Sequence, residues 1–280
     1  MKNYFNSNKV HSIGECQYVI GDCVEALRTM APNSVNTIVT SPPYNLNKKY
    51  GEYDDNKTFA EWEKLIENVA EAAYPILTSD GSFLLNVSPV PDKKTKEIIP
   101  LDSLAYFIFK KHGYYLRNSI VWHFNNMQNC TNRLSGRWEA ILWFVKDINN
   151  YQFNLDDIRI PYITQNDKRL VGGTGRNPTD VWNFDIPDSD FWYFDRVNNM
   201  TKNKLGISEH PCIFPTAMIE RIIKMTTKEG DVVLDPFLGS GTTLIAATNL
   251  RRVGLGIELD EKFIPIIEKR VTNEVSNKLF

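Results

Sequence analysis

No apolar run in this chain approaches the roughly 18 residues that a membrane-spanning helix requires. The opening residues, MKNYFNSNKV, lack the apolar core of a secretory signal. Cysteine is scarce. The four present, Cys16, Cys23, Cys130 and Cys212, show no C-x-x-C spacing, so neither a zinc site nor a disulfide framework is supported. The four histidines, His11, His112, His123 and His210, show no paired spacing for a metal or a general base. There are no internal repeats. These absences lead us to expect a cytoplasmic protein with no metal and no membrane partner.

What is present suffices for a large core. The 280 residues are 42% hydrophobic and 12% aromatic, and one α/β domain with an insertion is favoured over two equal domains. The net charge of −2 gives no sign of a polyanionic partner. Phosphate binding, however, requires a basic face rather than a basic protein. Between Lys110 and Arg176 ten Lys and Arg stand against five Asp and Glu. A mixed-charge solvated surface accounts for that bias equally well.

Val35–Thr40 (VNTIVT) is apolar and β-branched, the pattern of a buried strand. Ser41-Pro42-Pro43-Tyr44 follows it. Each proline lacks an N–H and has a fixed φ, and Pro43 keeps Pro42 out of the α region. The expected result is a stiff ledge at a strand's C-terminal edge, where open α/β sheets place ligands. The plainer alternative is a proline turn.

Far downstream, Val232–Asp235 (VVLD) is again strand-like. Pro236-Phe237-Leu238-Gly239-Ser240-Gly241-Thr242-Thr243 comes next, then a helical run, Leu244–Leu250. Glycines one residue apart permit a tight turn and a close ligand, and the following helix N-terminus offers free N–H groups to an anion. No third glycine completes a dinucleotide fingerprint and no Gly-Lys-Ser/Thr makes a phosphate loop. A carboxylate suits such a loop better than a polyphosphate. Val253–Glu258 (VGLGIE) is a further strand ending in an acid, placed where such folds bond a ribose. Glu258 also reads as a capping acid for the segment Asp260–Arg270.

These segments resemble the amino-methylating DNA methyltransferases that use S-adenosylmethionine, in the permuted order with the catalytic motif first. Thr40–Asn45 (TSPPYN) is similar to the catalytic motif and Asp235–Thr243 (DPFLGSGTT) to the cofactor loop. His210-Pro211 and Phe214-Pro215, leading into Thr216–Thr227, match the segment preceding that loop. Gly21-Asp22, after the strand Gln17–Ile20, matches the position that meets the cofactor's adenine. The resemblance runs from Gln17 to Arg270 and implies a Rossmann-like α/β sheet, mostly parallel and circularly permuted.

The resemblance also implies roles. Ser41 Oγ and the Pro42 carbonyl accept from an exocyclic amino group, Pro43 stiffens the ledge, and Tyr44 stacks on a base flipped from the duplex. Such stacking is worth about 1–3 kcal/mol per base. Glu258 takes the ribose hydroxyls, and Asp22 the adenine amino group with the Cys23 backbone nearby. Thr242 and Thr243 hold the methionine carboxylate and Asp235 lies near its ammonium. Phe214, Pro236, Phe237, Gly239, Ser240 and Gly241 complete the cofactor site. Asp22 reads equally as the N-cap of a helix over Val24–Met30. Serine at position 41 points to cytosine N4 as the target in double-stranded DNA, with adenine N6 as the alternative. An amide or amine of protein or RNA is the more distant alternative. A cognate restriction endonuclease and a homodimer belong to the same expectation. Pro211-Cys212 has the dipeptide of cytosine-C5 chemistry but does not follow a catalytic strand.

The polar stretch Leu46–Lys57 is expected to form a mobile loop over the ledge. Thr58 and Glu61 form a capping box for a helix with Phe59, Trp62, Ile66 and Val69 on one face, which Asp80-Gly81 ends. Ser82–Val87, Ile120–Phe124 and Ala140–Val145 read as strands, with Trp122 and Trp143 in the core, and Leu101–Lys111 as a helix. Residues 149–208, rich in Asn, Pro, Gly and aromatics, read as an irregular target-recognition insertion. It interrupts a catalytic and cofactor-binding domain of residues 1–148 and 209–280. Arg133 and Arg137 are candidates for reading bases or phosphates, or for pairing with Glu139 or Asp147. Lys168, Arg169 and Arg176 are candidates for the phosphate-facing edge of the insertion.

Overall fold

The apolar run Val35–Thr40 becomes a strand near the middle of the sheet that organises the molecule. The computed structural model describes residues 2–7, 9–44, 49–50, 53–54, 58–124, 130–160, 175–182 and 214–276. In chain order the first elements are β1 (Val10–Ile13), β2 (Cys16–Ile20), α1 (Cys23–Thr29), β3 (Val35–Thr40), β4 (Lys49–Tyr50), β5 (Tyr53–Asp54) and α2 (Phe59–Ile76). Then come β6 (Leu77–Val87), β7 (Val90–Pro91), β8 (Ile98–Ile99), α3 (Leu101–Lys111), β9 (Tyr115–His123) and β10 (Trp138–Val145). After β11 (Val181–Trp182) the chain forms α4 (Thr216–Thr226), β12 (Val232–Asp235), α5 (Thr242–Asn249), β13 (Val253–Glu258) and α6 (Ile264–Ser276).

Among the described residues the main sheet has nine strands in the order β1-β2-β13-β12-β3-β6-β10-β9-β11. Parallel pairing joins β2, β13, β12, β3 and β6, while β1, β10 and β9 run antiparallel to a neighbour. The α/β class, the mostly parallel sheet and the permuted order are all as expected: β12 and β13, late in the chain, sit between β2 and β3. The central strands read as nearly continuous apolar runs because helices cover both their faces. Ile38 and Leu234 face one layer, which holds Leu27 of α1, Ile66 of α2 and Phe109 of α3. Val39 and Val233 face the other, which holds Met218 and Ile222 of α4 and Ala246 of α5. Burying each large apolar side chain contributes about 1.5–3 kcal/mol, so a one-residue slip of β3 would forfeit several such contributions at once.

The capping box forms as read. Glu61 N–H donates to Thr58 Oγ1 at 3.3 Å and Thr58 N–H donates back to Glu61 Oε2 at 2.7 Å. Trp122 and Trp143 are buried. Two details differ from expectation. α2 passes directly into β6 at Leu77, so Asp80-Gly81 lies inside the strand. There the register with β3 shifts from Val35–Leu77 to Thr37–Ser82, and the irregularity absorbs the turn-forming pair. Within Leu46–Lys57, β4 and β5 pair as a short hairpin. The described residues between 149 and 208 are tied to α4 and to the main sheet. Asn154 Nδ2 donates to the carbonyls of Lys224 and Thr227 at 2.9 and 2.7 Å, and β11 extends the sheet beside β9. Among the described residues no helix is long and apolar enough to cross a membrane, and no cluster of His, Cys, Asp or Glu suits a metal ion.

Candidate active site

Parallel pairing of Val233 with Thr37 and Leu234 with Ile38 brings the C-terminal ends of β12 and β3 side by side. Thr40, at the root of the ledge, donates through Oγ1 to Asp235 Oδ1 at 2.6 Å. Thr243, on the first turn of α5, donates to Asp235 Oδ2 at 2.7 Å, and Phe237 N–H donates to Oδ1 at 3.0 Å. Burial raises the Asp235 carboxyl above its ordinary value, and these three donors oppose that rise. One carboxylate thus joins the two sequence motifs at a single edge.

On the ledge, Trp62 Nε1 donates to the Pro43 carbonyl at 2.9 Å, tying it to the first turns of α2. Ser41 Oγ donates to Tyr44 Oη at 2.9 Å. The Tyr44 hydroxyl lies 3.0 Å from the Asn86 carbonyl at the end of β6 and 3.2 Å from Glu139 Oε2 at the start of β10. Tyr44 is only 7% exposed and packs in the core, so its ring does not stand clear as an open platform. Among the described residues no donor meets the Pro42 carbonyl. With its proton given to Tyr44, Ser41 Oγ keeps its lone pairs for another donor. The ledge therefore presents two acceptors.

The glycine loop is built differently. Gly239 and Gly241 have φ of 54° and 84°, in the left-handed region. A Cβ on Gly241 would face Ile267 of α6 at 3.4 Å, so its freedom serves the turn and not space for a ligand. A Cβ on Gly256 of β13 would lie 2.5 Å from Leu238 Cδ2, so the bare strand lets the loop settle on it. Arg270, 3% exposed on α6, donates through Nη1 to Ser240 O at 2.9 Å, Ser240 Oγ at 2.7 Å and Thr242 Oγ1 at 3.1 Å. Its Nε donates to Glu274 Oε1 at 2.8 Å. The Thr242 and Thr243 hydroxyls are thus engaged inward. The N-cap of α5 is Gly241, which makes no side-chain hydrogen bond to the first turn.

At the end of β13, Glu258 accepts from Gly239 N–H at 2.7 Å and from Asp260 N–H at 3.1 Å. Burial pushes its carboxyl up to about 7 against those bonds. Ile20 of β2 pairs with Glu258, and Gly21 N–H donates to the Glu258 carbonyl at 2.8 Å. Asp22 therefore lies one strand over. It caps α1 through Oδ1, which accepts from Val24 and Glu25 N–H at 2.9 and 3.0 Å. Burial pushes the Cys23 thiol up to about 12.

A model described as DNA methylase, N6_N4_Mtase, matches residues 35–269. The chain is 32% identical to the type II methyltransferase M.ScaI of Streptomyces caespitosus, over 92% of this chain and 81% of that protein. The chain belongs to the N6/N4 DNA methylase family. In fold it matches the cytosine-N4-specific PvuII DNA methyltransferase with a TM-score of 0.72 at 20% identity, covering 99% of this chain and 96% of that one. It also matches TTHA0409 of Thermus thermophilus, solved with S-adenosyl-L-methionine, at a TM-score of 0.62 and 25% identity over 92% and 95% of the two chains. This methylase is S-adenosylmethionine-dependent and acts on DNA.

Within the methylase, the structure gathers Ser41–Tyr44, Asp235–Thr243, Glu258 and Asp22 along one edge of the sheet. Phe214 is set apart from Glu258: its ring packs on Trp122 of β9, with centroids 6.4 Å apart. Arg133 and Arg137 are exposed on the segment leading into β10. Arg176 is half-buried, with its backbone bridged to Ile160 at 3.0 and 2.7 Å. Lys168 and Arg169, together with His210, Pro211 and Cys212, lie outside the described residues. Sequence reasoning missed the parts played by Trp62, Glu139 and Arg270. The available signals were small: a ring N–H on an apolar helix face, one acid at the head of the apolar run WEAILWFV, and an arginine amid the apolar positions of α6.

Proposed function

We propose that this methylase transfers a methyl group to the exocyclic N4 of a cytosine flipped out of duplex DNA. The observation that carries the reading is the neutral Ser41 hydroxyl, its proton given to Tyr44, on the same ledge as a Pro42 carbonyl that no described donor meets. An exocyclic amino nitrogen is a poor nucleophile because its lone pair is delocalised into the ring. Two acceptors that take its N–H groups out of plane free that lone pair. A carbonyl held between fixed dihedrals does so with little reorganisation. In this role Ser41 and Pro42 are the catalytic residues, Pro43 fixes the ledge through Trp62, and Tyr44 acts through its hydroxyl. Stacking of the Tyr44 ring on a base requires that ring to be uncovered.

The residues present fit the cofactor. Glu258 takes the ribose hydroxyls, and Asp22, with the Cys23 backbone, takes the adenine amino group. The backbone N–H groups of Thr242 and Thr243 meet the methionine carboxylate. Asp235 stands near the ammonium, and Pro236, Phe237, Gly239, Ser240 and Gly241 shape the surroundings, whereas Phe214, packed on Trp122, does not line the ribose end. When bound, the cofactor supplies a sulfonium methyl group open to in-line attack.

Residues 149–208 serve target recognition, and residues 1–148 and 209–280 serve catalysis and cofactor binding. Exposed Arg133 and Arg137 flank Leu134, which is 93% exposed, a basic and apolar combination suited to a duplex with a displaced base. The type II name of M.ScaI supports a role in restriction–modification beside a cognate endonuclease. Duplex DNA incubated with methyl-labelled cofactor, then digested to nucleosides for mass spectrometry, tests the reading. N4-methyl-2′-deoxycytidine is expected. N6-methyl-2′-deoxyadenosine would move the target to adenine, and unlabelled DNA would return an amide or amine substrate.

A further inference from the structure

Ser41 acts as an acceptor only while its own proton is directed elsewhere, and what lies beyond Tyr44 decides how strong an acceptor it is. Ser41 Oγ donates to Tyr44 Oη at 2.9 Å. Tyr44 Oη has one proton of its own, with the Asn86 carbonyl at 3.0 Å and Glu139 Oε2 at 3.2 Å as acceptors. These groups come from three elements: the Ser41 and Tyr44 side chains from the ledge after β3, the Asn86 main-chain carbonyl from the end of β6, and the Glu139 side chain from the first residues of β10. Glu139 is 7% exposed. The remainder of β10, Ala140–Val145, is wholly apolar and buried, so the acid is the one charged residue of that strand. A hydrogen bond to a buried carboxylate polarises the next bond in the chain.

We propose that Glu139 is a positioning residue for methyl transfer. Through Tyr44 it fixes the direction of the Ser41 hydroxyl and places negative charge two hydrogen bonds behind the serine oxygen. The inference rests on the acceptor role read for Ser41. A neutral serine then grips an amino group more firmly than its own hydroxyl allows, because electron density is drawn along O–H···O–H···O⁻ toward the ledge. No proton leaves the chain in this arrangement. The charge strengthens Ser41 only through the bond it makes, so both the tyrosine hydroxyl and the glutamate are required.

A double-mutant cycle on the full chain tests this with Glu139→Gln, Tyr44→Phe and the pair. Single-turnover methylation of duplex DNA is measured alongside cofactor affinity by calorimetry. Glu139→Gln keeps the side-chain shape and an acceptor oxygen. It is expected to slow methyl transfer about ten-fold, the scale of one charged hydrogen bond, with cofactor affinity and DNA KM within about two-fold. Tyr44→Phe is expected to slow it as much or more, and the double variant no further than Tyr44→Phe alone. Wild-type turnover in Glu139→Gln, or losses that multiply in the double variant, would overturn the proposal. Should Glu139→Gln fail to fold, Tyr44→Phe decides: full turnover overturns the chain, and slowed transfer with intact cofactor affinity supports it. A wild-type protein that labels no DNA amino group would instead overturn the function read above, whatever the variants do.

Discussion

The ledge and the glycine loop lie at adjacent strand ends and share the Asp235 carboxylate, yet they use their side chains in opposite ways. At the ledge the prolines and Trp62 do the holding, Ser41 gives its proton to Tyr44, and among the described residues no donor meets the Pro42 carbonyl. In the loop, the Ser240, Thr242 and Thr243 side chains are taken up by Arg270 and Asp235, and the amides of Phe237, Leu238, Gly239 and Gly241 are paired within the protein. In the function proposed, chemistry depends on the first region through side-chain identity and on the second through backbone shape. Substitutions should therefore separate turnover from cofactor affinity.

The largest effect expected is from Ser41→Ala. Methyl transfer falls by about 100-fold or more, on the scale of losing one preorganised transition-state contact, while cofactor affinity by calorimetry stays within about two-fold. A large rise in cofactor dissociation constant would erase the contrast between the regions. Gly241→Val reverses the pattern. A β-branched residue at a φ of 84° strains the turn, costing about 1–3 kcal/mol, and cofactor binding weakens by ten-fold or more before any effect on chemistry. Normal binding by that variant would show that loop shape is not what holds the cofactor.

Arg270→Met tests the brace from behind. Losing its bonds to Ser240 and Thr242 should lower stability by about 2–3 kcal/mol in denaturant titration and weaken cofactor binding several-fold. Unchanged binding would make the brace purely structural. A smaller, pH-dependent effect centres on Glu258, whose carboxyl burial raises to about 7. Its folded value lies above the unfolded one, so its contribution to stability is present at low pH and lost as pH rises through about 7. Ribose hydroxyls donate to the ionised form and favour it. The melting-temperature gain on adding cofactor should therefore be larger at pH 8 than at pH 6, and Glu258→Gln should flatten that difference. Smallest of all, Trp62→Phe keeps the buried ring but removes the donor to Pro43. It should slow transfer about three-fold and cost about 1 kcal/mol.

Much of the scaffold was legible because it rests on local rules. Val35–Thr40, Val232–Asp235 and Val253–Glu258 announce themselves as buried strands by composition, the Thr58–Glu61 box by spacing, and the Gly239–Gly241 turn by its two glycines. The α2–β6 junction was misread because Asp80-Gly81 resembles a helix stop, whereas pairing with β3 carries the strand straight through it. Tyr44 was expected to stack on a flipped base, and its ring is buried in the structure. A tyrosine beside prolines does not declare which way its ring will turn, and here two acceptors on other strands draw the hydroxyl inward.

Residue types and short spacings alone specified the class of fold and the order of its two motifs: a proline ledge after one strand, a glycine turn after another. Both signals act within a few bonds along the chain. Only the tertiary structure decided that Thr40 meets Asp235, that Arg270 grips the loop from a distant helix, and that Glu139 stands behind Tyr44 and Ser41. Such contacts join residues dozens to nearly two hundred positions apart. Their partners are chosen by strand order and register, and no local pattern records that choice.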